Sequence, residues 1–462
     1  MKKILLKGGT VVSGEKAEIA DVLIEGERIK AVGNLFRDSE EIILDNETII
    51  KDMSGRLIFP GFIDGHTHFD LHVAGTVTAD DFESGTKSAV MGGTTTIVDF
   101  ATQYEGESLT QAFENWSSKA ENSVCDYRFH MAITDWNEDV KKELKNMLDR
   151  GINSFKLYTT YDTMVSDEEI YDILIALKEV GGIAGVHCED DAVISKLVDE
   201  AKKIGEMGVS SHPNTRPKSA EVEAVRRILD IAYRADSPII IVHLTCKESL
   251  EEVEKARLRG QEVYVETCPH YLLLDASKYD LDGFEGAKYV CSPPLRTAED
   301  EETLWSGIAG GRIQTVATDH CSFTVEQKKI GESDFTKIPG GMPGVQDRVS
   351  LVYSFGVEKE RINLMDMCRV LSENPAKLYG IYPKKGAIKV GSDADITVLK
   401  PCKPVPISYK DEYSKAGYTP FEGMEITVQI ESVYLRGTEV VNNRKLTTNI
   451  TSIKGRYVGN CR

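Results

Sequence analysis

The chain has 462 residues, more than one ordinary domain needs, and its composition (41% hydrophobic, 28% charged) is that of a globular protein. A formal net charge of −19 argues against a nucleic-acid partner, because phosphate recognition needs a basic patch. No apolar run reaches the ~18 residues of a membrane span, and the one near the N-terminus is too short for an export signal.

A cytoplasmic protein acting on a small molecule is therefore expected, with its nine scattered cysteines (Cys461 the last) reduced. In chain order, residues 1–56 read as short strands at 4–6, 10–12, 21–24 and 28–32, separated by Gly-bearing turns. Strand-like segments follow at 57–64, 95–100, 127–133, 154–158, 183–187, 239–243, 262–266 and 315–318. Amphipathic helical stretches alternate with them, among them 167–180, 220–235 and 247–258. Eight such strands predict an α/β fold with a closed (β/α)8 barrel rather than an open doubly wound sheet. The lack of a Gly-x-Gly-x-x-Gly after the first strand also disfavours dinucleotide binding. Strand-like segments return at 395–399 and 429–435. The expected organisation is a barrel over 57–385 and a small β-sandwich domain built from 1–56 and 386–462.

Chemistry-bearing residues fall at the strand ends. The pentad Asp64-Gly65-His66-Thr67-His68 closes the first strand, and residues two apart on a strand share a face, so His66 and His68 present two imidazoles to one point. His187, His243 and Asp319 end the fifth, sixth and eighth strands, and Lys156 lies inside the fourth. Barrel enzymes build their sites at this end of the strands. Taken alone, His187, His243 or Asp319 reads as structural rather than catalytic; together, on five strands at matching depth, the six residues point to a metal site. An ammonium cannot ligate a cation. A neutral Lys156 amine can instead add CO2 to give a carbamate (N6-carboxylysine) whose two oxygens bridge two metals. His66, His68 and Asp319 would then serve one ion, and His187 and His243 the other. Zinc is the expected divalent ion, with manganese accepted by the same donors. A hydroxide bridging the ions would follow, since metals lower the pKa of water toward ~7.

This set of residues, with Gly92-Gly93-Thr94-Thr95-Thr96, Ser292-Pro293-Pro294-Leu295-Arg296 and Asp319-His320-Cys321, resembles the amidohydrolase superfamily. Within it the chain looks most like the dihydropyrimidinases and D-hydantoinases. The resemblance implies hydrolytic ring opening of a cyclic amide or imide, a 5-substituted hydantoin or a dihydropyrimidine, in a homotetramer. It also implies that Asp319 acts as general base and then acid, and that Tyr161 hydrogen-bonds the developing oxyanion. Ser292 and Gly340 would meet the substrate imide through their backbones, although the family usually carries Asn where Gly340 stands. Loops 71–78 and 158–165 are the candidate determinants of ring specificity. Dihydroorotase typically carries Arg two residues after the second His; Asp70 stands there, a poor partner for a carboxylated ring. Allantoinase is the nearer alternative, and a non-catalytic barrel scaffold the more distant one. His320 is expected to orient Asp319; His72, His130, His212 and His270 are expected to be structural or surface residues.

Overall fold

The computed structural model describes residues 2–35, 47–451 and 453–460, so Cys461 lies outside the described residues. Its centre is an eight-stranded parallel sheet: β1 (Phe62–Thr67), β2 (Thr94–Thr102), β3 (Asp126–Ala132), β4 (Ser154–Tyr158), β5 (Ile183–His187), β6 (Ile239–Ile241), β7 (Val263–Thr267) and β8 (Thr315–Val316). The strands pair in sequence order, as βα units require. The helices at 167–180 and 247–258 fall where the periodicity places them. The first is bounded by a Ser166/Glu169 capping box and by Gly181 at φ 83°, where only a residue without Cβ is unstrained.

The ring closes between β8 and β1 through side chains. Arg348 is fully buried, and its Nη1 donates to Ile63 O on β1 (2.8 Å) and to Val316 O on β8 (2.9 Å). Its Nη2 donates to Thr94 Oγ1 on β2 (3.0 Å). On the same seam Asp64 accepts from Thr318 N (3.0 Å) and Thr318 Oγ1 (2.7 Å), and its Oδ2 stands 3.7 Å from Arg348 Nε. Beyond the strand ends, His68 N donates to His320 O (2.8 Å).

The expected first strand, 57–64, is two strands. Leu57–Pro60 pairs with Thr10–Val11 and, antiparallel, with Ile396–Leu399, so it belongs to a nine-stranded sheet made from both ends of the chain. The chain passes from that sheet into the barrel at Gly61, where a Cβ would lie 2.1 Å from Thr95 Oγ1. The expected sandwich is one continuous sheet whose strands share an apolar cluster including Ile4, Val22, Ile29, Ile58, Ile396 and Tyr434. Residues 456–458 leave it and pair with Tyr127 at the start of β3. Sheet and barrel are joined by buried charge. The Lys385 ammonium sits among Asp126, Asp393 (3.0 Å) and Asp395 (2.6 Å), and Arg436 also binds Asp126. That acidic group is held by the combined charges of Lys385, Arg436 and, at Asp393, Arg28.

Replacing Arg348 with Met would leave Asp64 buried beside two unsatisfied strand carbonyls. Loss of one partner of a buried ion pair costs about 3–5 kcal/mol. The expected result is a lowered midpoint of unfolding in urea; an unchanged midpoint would show that the seam does not depend on this guanidinium.

Candidate active site

The residues singled out at the strand ends converge at one mouth of the barrel. His66 lies in β1 and His68 just beyond it. Asp319 follows β8 after two residues, and the ligand atoms of these three all lie within 4.8 Å of one another. His66 Nε2 and His68 Nε2 stand 3.2 and 3.1 Å from Asp319 Oδ1. Across the mouth, His187 Nδ1 and His243 Nε2 face each other at 3.0 Å. The His66 and His243 rings, 5.5 Å apart, join the two groups. His243 (φ 37°) and Asp319 (φ 50°) both take left-handed backbone as the chain leaves its strand. Such strain persists only where surrounding structure over-determines it.

Lys156 is buried on β4, with Nζ 5.3 Å from the Phe100 ring centre, and Phe100 packs against both His66 and His68. Burial pushes its pKa down to about 8, although Asp319 and Glu266 oppose the shift. Burial first, and then the Lys156 charge, holds His66 and His243 well below the ordinary imidazole range, so both are neutral rings fit for ligation. Burial also works against the charge of Asp319, but the His68 hydrogen bond and the nearby cations keep its carboxyl below the usual range.

Two carboxylates that sequence reasoning missed fix the histidine tautomers. Glu266, at the end of β7, lies 2.6 Å from His66 Nδ1, and Glu189 lies 2.9 Å from His187 Nε2. A carboxylate at those nitrogens accepts their N–H hydrogen bonds, which favours the tautomers with lone pairs on His66 Nε2 and His187 Nδ1. A lone pair facing the Asp319 carboxylate at 3.2 Å is repulsive unless a cation lies between them. The donor set of imidazoles, carboxylate and buried amine thus fits a divalent metal centre. Burial raises Glu266, and the Lys156 ammonium opposes the rise. Signals for both acids were available: Glu189 is two residues from His187, and Glu266 ends a strand already assigned to the barrel.

On the rim, Tyr161 (φ 75°, 38% exposed) sets its ring 5.2 Å from His187, with the Arg216 guanidinium 5.2 Å over that ring. Its phenol is hydrogen-bonded to the Ser292 side chain and is pushed up by desolvation to about 12, so it is a protonated donor at neutral pH. Arg216 is neutralised by Glu189 at 2.5 Å, which makes one chain of contacts from Tyr161 to His187. Ser292 and Gly340 are neighbours: a Cβ on Gly340 would come 3.8 Å from Ser292 Oγ. Of the candidate specificity loops, 71–78 carries the hairpin His72–Val73/Thr76–Val77, and 158–165 carries Tyr161.

His320 does not orient Asp319 through its ring. Its Nδ1 accepts from Gly344 N (3.1 Å), and its Nε2 donates to Asp80 Oδ2 (3.0 Å). His130 is structural, held by Ser154 Oγ (2.6 Å) and Gly65 O (2.8 Å); His212 donates to Cys291 O (2.7 Å). Asp70 turns toward the backbone N–H of Phe82, at the start of a helix.

The model of the Amidohydrolase family matches residues 57–440. The D-hydantoinase of Geobacillus stearothermophilus is 42% identical over 447 residues, covering 96% of this chain and 93% of that protein. The dihydropyrimidinase of Rattus norvegicus is 37% identical over 435 residues, covering 92% of this chain and 82% of that protein. The crystal structure of dihydropyrimidinase from Brevibacillus agri superposes with a TM-score of 0.95 at 40% identity over 100% of both chains.

Substituting Glu189 by Leu removes the acceptor that fixes the His187 tautomer. Losing such an outer partner costs roughly 10–100-fold in metal affinity. Chelator-competition titration checks this, and wild-type affinity in the variant would refute the orienting role.

Proposed function

The chain belongs to the amidohydrolase family, and on that premise we propose that it opens the ring of a 5-substituted hydantoin or a dihydropyrimidine. It is a hydrolase acting on the C–N bonds of cyclic amides. The observation that carries the finer reading is the convergence of His66 Nε2, His68 Nε2 and the Asp319 carboxylate on one point, beside the facing His187 and His243. His66, His68 and Asp319 would hold one divalent ion, His187 and His243 the other, and carbamylated Lys156 would bridge them; zinc suits this donor set. When bound, such ions supply Lewis acidity, lowering the pKa of water toward ~7 and polarising the ring carbonyl.

The chain's own residues do the rest. Asp319 is ionised, and its side chain is 16% exposed at the mouth, so it can take a proton from the attacking water. As the C–O bond forms and the ring C–N bond breaks, the same carboxyl returns that proton to the departing nitrogen. The product is one open-chain molecule bearing a ureide and a carboxylic acid, which releases its proton to solvent at neutral pH. Tyr161, protonated and anchored by Ser292, donates to the carbonyl oxygen as negative charge develops there. The backbone groups of Ser292 and Gly340 meet the remaining imide edge. The reading includes a homotetramer in the cytoplasm, as the acidic surface and the family resemblance suggest.

A parallel assay of metal-loaded protein against dihydrouracil, phenylhydantoin, allantoin and dihydroorotate tests the substrate class. Turnover of the first two is expected; fast turnover of dihydroorotate alone would overturn the assignment.

Carbamate formation consumes the neutral amine. With Lys156 lowered to about 8, the neutral fraction in metal-free protein grows as pH rises toward 8 and saturates above it. Reactivation of stripped protein by zinc at fixed dissolved CO2 is therefore expected to accelerate from pH 6 through 8, where half of the amine is neutral, and to level off above about pH 9. Native mass spectrometry showing unmodified Lys156 in fully active, metal-loaded enzyme would refute the carbamate.

A further inference from the structure

Lys328 is the most deeply buried lysine outside the metal-site residues, at 0% exposure, and it forms no ion pair among the described residues. Withholding water from an ammonium is costly, and burial pushes its pKa down to about 7, against the opposing influence of Cys291 and Cys321. Its Nζ is spent instead on two backbone carbonyls, Pro339 O at 3.0 Å and Val290 O at 3.3 Å. Val290 lies two residues before Ser292, and Pro339 directly precedes Gly340. The same two strands of chain are tied once more by Gly341 N donating to Val290 O (2.8 Å), and Cys291 O is taken by His212 (2.7 Å). The Phe323 ring, 5.9 Å from Nζ, faces the charge.

The turn that carries Lys328 is itself fixed. Thr324 and Gln327 form a reciprocal capping box around Val325–Lys328. Gln327 Nε2 donates to Thr76 Oγ1 (2.9 Å) and Val77 O (2.6 Å), on the hairpin of loop 71–78. One helical turn therefore grips three segments around the mouth: the hairpin, the chain leading to Ser292 and the chain leading to Gly340.

We propose that Lys328 is a positioning residue for substrate binding, its ammonium holding the Val290 and Pro339 carbonyls so that Ser292 and Gly340 present their backbone groups to the ring at a fixed separation. The proposal rests on the assignment of Ser292 and Gly340 as substrate contacts. It does not touch the metal residues, so its signature is a change in KM rather than in kcat.

The test uses the metal-loaded enzyme with dihydrouracil and phenylhydantoin. K328M keeps the length and apolar stem of the side chain but removes every donor; K328Q keeps an N–H donor. The expected result is a KM raised tenfold or more in K328M and partly restored in K328Q, with kcat within about threefold of wild type. An unchanged KM, or a loss confined to kcat, would overturn the proposal. If K328M does not fold, K328Q decides on the same two numbers; failure of both to fold would assign Lys328 to global stability and overturn it as well. G340V separates the two readings, since it crowds Ser292 while leaving the Lys328 side chain intact. An unchanged KM in G340V refutes the substrate contacts themselves. A raised KM there, with an unchanged KM in K328M, refutes the role of Lys328 alone.

Discussion

A parallel barrel exists only if its last strand finds its first, and here the two meet through a buried guanidinium and a buried carboxylate. β8 is two residues long, too short to carry a ladder across the seam. Arg348 supplies the missing donors from outside the sheet, and Asp64 supplies the acceptors from within it. The site inherits its geometry from that join. His66 and His68 belong to one side of the seam and Asp319 to the other, and their meeting within hydrogen-bonding distance is the seam's most visible product. A register slip of one residue there would turn the histidines to the outer face.

Around this join the protein handles charge by layers. The innermost groups are neutral rings and one lysine, kept so by burial. A second layer of acids, Glu189 and Glu266, decides which nitrogen of each ring carries a proton. Arg216 in turn neutralises Glu189 and reaches the rim at Tyr161. The strand-end histidines, Tyr161 and the residues that orient both are thus parts of one connected set of contacts, and perturbing an outer member alters the electrostatics at the inner one.

The barrel strands were legible because each is a short apolar run flanked by turn signals, and the helices because their apolar positions recur at helical spacing. The strand at 57–64 was misread as one element: an unbroken apolar stretch hid the Pro60-Gly61 pair, whose punctuation separates two sheets. The proposed metal residues stood out because a buried lysine on a strand is costly enough to demand a reason. Their supporting acids went unread although Glu189 is two residues from His187 and Glu266 ends a barrel strand, because only the fold brings each against an imidazole. His320 misled for the opposite reason: adjacency to Asp319 in the chain suggested contact, while the left-handed backbone at Asp319 sends the two side chains to different partners. Arg348, far along the chain from both strands it joins, left no local trace. Lys385 was equally silent, since Asp126 joins Asp393 and Asp395 around it only when the C-terminal segment docks on the start of barrel strand β3.

The strand Leu57–Pro60 lies between Thr10–Val11 and Ile396–Leu399, partners separated along the chain by more than three hundred residues. A ribosome releases the N-terminal strands long before their neighbours exist. The intervening barrel, whose strands pair with near neighbours in sequence, can assemble as it emerges, whereas the terminal sheet must wait for the end of synthesis. Until then one face of the early strands has no cover, and the apolar side chains of Ile4, Leu6, Val22 and Ile58 are exposed to any other nascent copy. The architecture that ties the two ends of the chain together therefore sets the order in which the molecule can be made, and places its period of greatest vulnerability to aggregation during translation rather than after it.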